Sequence, residues 1–175
     1  MAAPIATVGA VYGYRGDEDS AAEWFSFGEQ IAPDVRGQLH GIVLLRADID
    51  LHHGRFEDAT ARMQSPEASF WWRALYLATR AEAFVAAGSS AAAEAIQQAK
   101  RRIGDHRAAE GILLRASGMH SNDSALIRES LAVFQEIECP YQAARSGWLL
   151  GGEDRERSRE RFAALGTGPP AEPAA

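Results

Sequence analysis

Apolar residues along the chain recur at spacings of three and four, and strict apolar/polar alternation nowhere persists for six residues. Alanine, leucine, glutamate and arginine, all good helix formers, fill the long stretches, while valine, isoleucine and threonine are sparse. An all-α fold follows. Glycine punctuates the apolar segments at Gly16, Gly54, Gly88, Gly118 and Gly152, separated by 38, 34, 30 and 34 positions. Each ends an apolar run and precedes a polar start to a second one. That order predicts a helix A, a turn with glycine in the left-handed conformation, and a helix B. Five such units predict a single domain over residues 1–166, an α-solenoid of about five antiparallel hairpins that each bury their stripe against a neighbour. Residues 167–175, rich in glycine, proline and alanine, are expected to form a disordered tail.

The first unit carries the pattern most fully. Gly9 allows helices A and B to approach, Ala21 meets it, Phe25 fills the seam to the next unit, and Pro33 closes helix B. Ser20 with Glu23 forms a capping box that predicts where helix B begins. These small and large residues at these offsets resemble the tetratricopeptide repeat, which implies a right-handed superhelix with the A helices lining its concave wall. The later units are degenerate. Ala47, Ala59 and Met63 keep the pattern while Arg46 and Asp50 depart from it. Ala81, Phe84 and Ala93 keep it, with Gln97 in an aromatic place. In the fourth, Gly111 and Leu114 fit, and His120–Asp123 reads as a polar insertion that delays helix B until Leu131, Phe134 and Ile137. The fifth rests on Ala144, Trp148, Gly151, Phe162 and Leu165.

Residues 70–166 carry a second resemblance, through Phe70-Trp71-Trp72-Arg73-Ala74-Leu75 and the run from Glu129 to Arg145. They resemble the C-terminal helical repeats of bacterial LuxR-type ATPase regulators and of repeat-bearing nucleotide cyclases. Those families' ATPase, cyclase and DNA-binding modules are absent from this sequence, so the resemblance implies a regulatory or scaffold module of a signalling or transcriptional system.

The net charge of −6 over 175 residues argues against direct nucleic-acid binding. The triplet Lys100-Arg101-Arg102 reads as a solvated helix end. One cysteine, Cys139, precludes an internal disulfide and favours the cytoplasm. No apolar run reaches 18 residues, and no basic leader opens the chain, so neither membrane nor secretion is expected. Phosphate-loop, dinucleotide, zincin and serine-hydrolase motifs are missing, which predicts no enzyme and no cofactor. Asp17-Glu18-Asp19 fails as a calcium loop because Gly28 stands at its twelfth position. Asp48 and His52 share a helix face, but no third metal ligand lies nearby; His52 is expected to serve the helix dipole.

The expected function is therefore interaction, with a partner peptide or helix held in the concave groove. The repeat register places Asp48, His52, Leu75, Glu82, Ile112, Arg115, Gln142 and Ser146 on that wall, and Trp72 is the aromatic candidate to anchor a partner. A small-molecule effector in the same groove is the alternative. The strongly charged run Arg155–Arg161 reads as a cap, which leaves Ile5, Val8 and Tyr12 of the N-terminal hairpin as the face for a homodimer.

Overall fold

The computed structural model describes residues 2–31, 36–65 and 71–173, so Pro33 and Phe70 lie outside the described residues. The described residues form ten helices and no strand: α1 (Ala2–Tyr14), α2 (Glu18–Ile31), α3 (Arg36–His52), α4 (Phe56–Arg62), α5 (Arg73–Ala86), α6 (Ala92–Lys100), α7 (Arg107–Ser121), α8 (Ser124–Glu136), α9 (Pro140–Leu150) and α10 (Gly152–Ala164). No helix among them is long and apolar enough to cross a membrane.

Packing follows chain order. Each odd-numbered helix packs on the even-numbered helix after it, and each even-numbered helix up to α8 also touches the next odd one. The odd helices α1, α3, α5 and α7 touch one another in succession. The buried apolar residues fall into three clusters along this row. One runs from α3 to α9 around Tyr76, Phe84, Leu113 and Phe134; smaller ones lie at α1–α3 and at α9–α10.

Close approach within the helix pairs depends on small residues. A Cβ at Gly9 would stand 3.2 Å from the Ala21 carbonyl oxygen, the contact expected of those two positions. At Gly111 it would meet the Phe134 ring at 2.7 Å. Gly16, Gly54 and Gly88 turn the chain with φ of 80°, 73° and 63°, and Gly151 and Gly152 do so between α9 and α10.

The fourth turn differs from expectation. Gly118 is buried inside α7, which continues through Ser121, and the left-handed residue is Asn122 at φ 53°. Asparagine tolerates that conformation, so a glycine is unnecessary there. Residues 120–123 are consequently the end of one helix and the cap of the next, not an insertion. Asp123 caps α8 by accepting from the Ala125 N–H at 2.8 Å. The start of α2 also shifts: Asp17, not Ser20, is the cap, accepting from the Ser20 N–H at 3.1 Å.

The residues that break the repeat pattern have partners of their own. Arg46 pairs with Glu29 at 3.4 Å and stands 4.9 Å over the Phe25 ring. Asp50, buried, accepts from Arg55 at 2.9 Å and from Arg62 at 2.6 Å. Val8, Val11, Phe27 and Ile31 of α1 and α2 are exposed apolar residues.

Gly118→Ala tests the packing of α7 on α8. The added methyl would lie 2.6 Å from Ile127 Cγ1 and 2.9 Å from the Asp123 carbonyl oxygen, so backbone must move. We expect a loss of about 1–3 kcal/mol, seen as a lower urea midpoint at unchanged slope.

Candidate functional site

Charged residues stand at one point on successive odd helices, each flanked by small or apolar neighbours: Asp48 on α3, Glu82 on α5, Arg115 on α7 and Arg145 on α9. An isolated charge at such a buried place would be prohibitive, and these four are joined to each other. Arg115 grips Glu82 with both ends of its fork, Nε to Oε1 at 2.7 Å and Nη2 to Oε2 at 2.9 Å. Arg145 donates to Glu82 at 3.1 Å and to Asp48. The Tyr14 hydroxyl donates to Asp48 at 2.5 Å, which brings α1 into the network.

The far side of Arg115 is satisfied from α9, by Gln142 Oε1 at 2.7 Å and Ser146 Oγ at 3.2 Å. Ser146 in turn meets Ser130 of α8, whose hydroxyl donates to the Gly111 carbonyl at 2.7 Å. Five of the expected wall residues (Asp48, Glu82, Arg115, Gln142 and Ser146) therefore converge, but upon one another. Glu82, Arg115 and Ser146 are buried, with their polar groups already bonded to one another or to Gln142.

The other expected residues separate. Ile112 and Leu75 pack into the apolar core, where their helix faces turn. Trp72 packs toward Gly41 of α3, where a Cβ would stand 3.0 Å from its indole. It fills a seam between helices; its neighbour Trp71 is 82% exposed.

His52 is buried rather than placed for the helix dipole. It sits among Tyr14, Tyr141 and Phe162, with the Tyr14 and Tyr141 rings 4.7 Å apart between α1 and α9. The segment after α10 completes this cluster. Thr167 Oγ1 donates to the Tyr14 carbonyl at 2.5 Å and lies 3.1 Å from His52 Nε2. Its single proton being used, the hydroxyl accepts from Nε2–H, which leaves His52 Nδ1 to accept from the Tyr141 hydroxyl at 3.0 Å. The ring is neutral in this arrangement.

Thus the expected disordered tail makes specific contacts through the last described residue, Pro173. The Ala171 N–H donates to the His52 carbonyl at 2.9 Å, Pro170 is buried, and Glu172 pairs with Arg155 at 3.0 Å. Beneath it lies a crevice of about 20 Å³ lined by Leu51, Phe56, Met119, Trp148 and Leu149 among others, the room of one water. Low hydrophobicity concealed this order, because the tail binds by a few placed groups rather than by a stripe.

Burial and neighbouring charge set the titration of these groups. Burial, then Arg145 and His53, lowers His52 to about 3. Burial alone would raise Glu82, but Arg115 and Arg145 outweigh it and hold the carboxyl below its ordinary value. Burial and then Asp48 push Tyr14 well up, so it remains a donor. Burial would lower Arg145, yet Glu82 and Asp48 raise it. Among the described residues no group of three or more His, Cys, Asp or Glu is arranged to hold a metal ion.

A histidine that titrates at 6.5 when unfolded and about 3 when folded makes the unfolded state take up the proton first. Its contribution is whole above pH 6.5 and is lost as pH falls toward 3, reaching about 2 kcal/mol by pH 5. Urea midpoints at pH 7 and pH 5 should differ accordingly, and His52→Gln should flatten the difference. Equal slopes in both proteins would mean that His52 accepts protons freely in the fold.

The chain matches no protein-family model, no curated protein and no solved structure, and what this site can do is read from its own geometry.

Proposed function

We propose that the protein is an interaction module, a curled stack of helical hairpins whose inner wall receives a non-helical segment of a protein partner. One observation carries this reading: the wall already holds such a segment, residues 167–173, by hydrogen bonds to Tyr14 and His52 and an ion pair to Arg155. The site draws on α1, α3 and α4 and on α9 and α10, with Met119 of α7 also lining its crevice. Groups capable of acid–base chemistry there neutralise one another, which favours binding over catalysis. The resemblance of residues 70–166 to the repeats of bacterial regulators supports a place in cytoplasmic signalling or transcriptional control. A small-molecule effector is the second reading; with residues 167–173 in place the crevice left on this wall is about 20 Å³.

A random peptide library selected against the full chain tests the reading. Binders should slow amide hydrogen exchange at His52–Arg55 and Trp148–Gly151. Binders that protect only α2 or α6 would remove the wall from consideration.

A further inference from the structure

The tail is itself a description of what the wall recognises. Of the eight residues Gly166–Pro173, three are proline: Pro169, Pro170 and Pro173. Proline lacks a backbone N–H, so such a segment can lie against a protein without a sheet edge to satisfy it, and its fixed φ reduces the entropy lost on docking. The surface beneath is largely of matching character: Phe56, Trp148, Leu51, Leu149 and Met119 line it, the kind of lining that takes proline-rich segments elsewhere, beside Glu82, Arg115 and Arg145, whose charges are paired with one another.

Polar contacts fix the register at both ends and in the middle. Thr167 holds the first end at Tyr14 and His52, the Ala171 amide holds the centre at the His52 carbonyl, and Glu172 meets Arg155. Arg155 is itself oriented, donating to the Trp148 carbonyl at 3.0 Å with its guanidinium 4.6 Å over the Trp148 ring. The Trp148 indole N–H is buried without an acceptor among the described residues.

We propose that this crevice is a docking site for proline-rich segments of a protein partner that carry an acidic residue after a proline pair, and that residues 167–173 are its ligand in cis, displaced when the partner binds. This rests on the reading of the wall as a peptide-binding surface and adds the partner's chemistry and its competitor. Charge complementarity is local: the segment brings one carboxylate to Arg155, while the acids of the wall, Asp48 and Glu82, are already paired with arginines.

The test uses a labelled peptide of sequence Gly-Thr-Gly-Pro-Pro-Ala-Glu-Pro added to the full chain and to the full chain carrying Thr167→Ala and Pro170→Ser. The double variant should release its tail, seen as faster exchange of the Ala171 amide, and should bind the peptide at least tenfold more tightly than the unaltered chain. Replacing the peptide's adjacent prolines by alanine should cost tenfold or more. Replacing its glutamate by lysine should cost about two- to fivefold, the range of a surface ion pair, and Arg155→Glu should restore that loss. Equal binding of the alanine peptide overturns the proposal, as does a tail that stays protected in the double variant. If proline-free library peptides nevertheless protect His52–Arg55, the wall remains a binding surface and only its proline chemistry is refuted; if neither they nor this peptide binds there, both readings fail.

Discussion

Two carboxylates and two guanidiniums, buried together and unable to stay charged alone, dictate how the helices of this protein are arranged. Asp48, Glu82, Arg115 and Arg145 balance to zero; Asp48 also accepts from Tyr14 and Gln142, and Arg115 also donates to Gln142 and Ser146. Such a cluster adds little net stability over an apolar core of the same shape, yet removing one member strands its partner at a cost of roughly 3–5 kcal/mol. Its effect is one of placement. Stripes of alanine and leucine tolerate sliding and rotation, whereas the bidentate fork of Arg115 on Glu82 admits one geometry. The network therefore selects, among the many ways ten amphipathic helices can pack, the one in which α3, α5, α7 and α9 converge.

On the proposed reading, that constraint also decides where binding can occur. α1 and α9 meet through Tyr14 and Tyr141, and the polar residues of α3, α5, α7 and α9 are consumed by their own pairing. What remains accessible is the rim, where the ends of α3, α9 and α10 leave backbone carbonyls, aromatic faces and a partly exposed arginine. The tail occupies that rim. His52 joins the two regions, its ring in the aromatic cluster and its carbonyl bonded to the tail.

The helices themselves were legible because apolar spacing and turn glycines report directly on local structure. The Gly9–Ala21 approach was legible for the same reason. The fourth turn was not legible, because Gly118 serves packing against Ile127 and asparagine performs the turn. The placement of Asp48, Glu82, Arg115, Gln142 and Ser146 on one face could be read from register. That they would satisfy each other could not, since register says nothing about curvature. A signal did exist: Arg145, between Ala144 and Ser146, repeats the isolated-charge setting of Glu82 and Arg115. Tyr14, Tyr141 and Thr167 carried no such mark, because their partners lie 34 to 153 positions away. Trp72 looked like an anchor only because sequence cannot show that a glycine on α3 makes room for it.

The meeting of Tyr14 with Tyr141 has a consequence for descent. An open row can gain or lose a pair of helices with little penalty, since each pair answers only to its neighbours. Here an additional pair between α3 and α9 would carry Asp48 out of reach of Arg145 and part the two tyrosines, so such an insertion would break contacts that bridge distant parts of the chain.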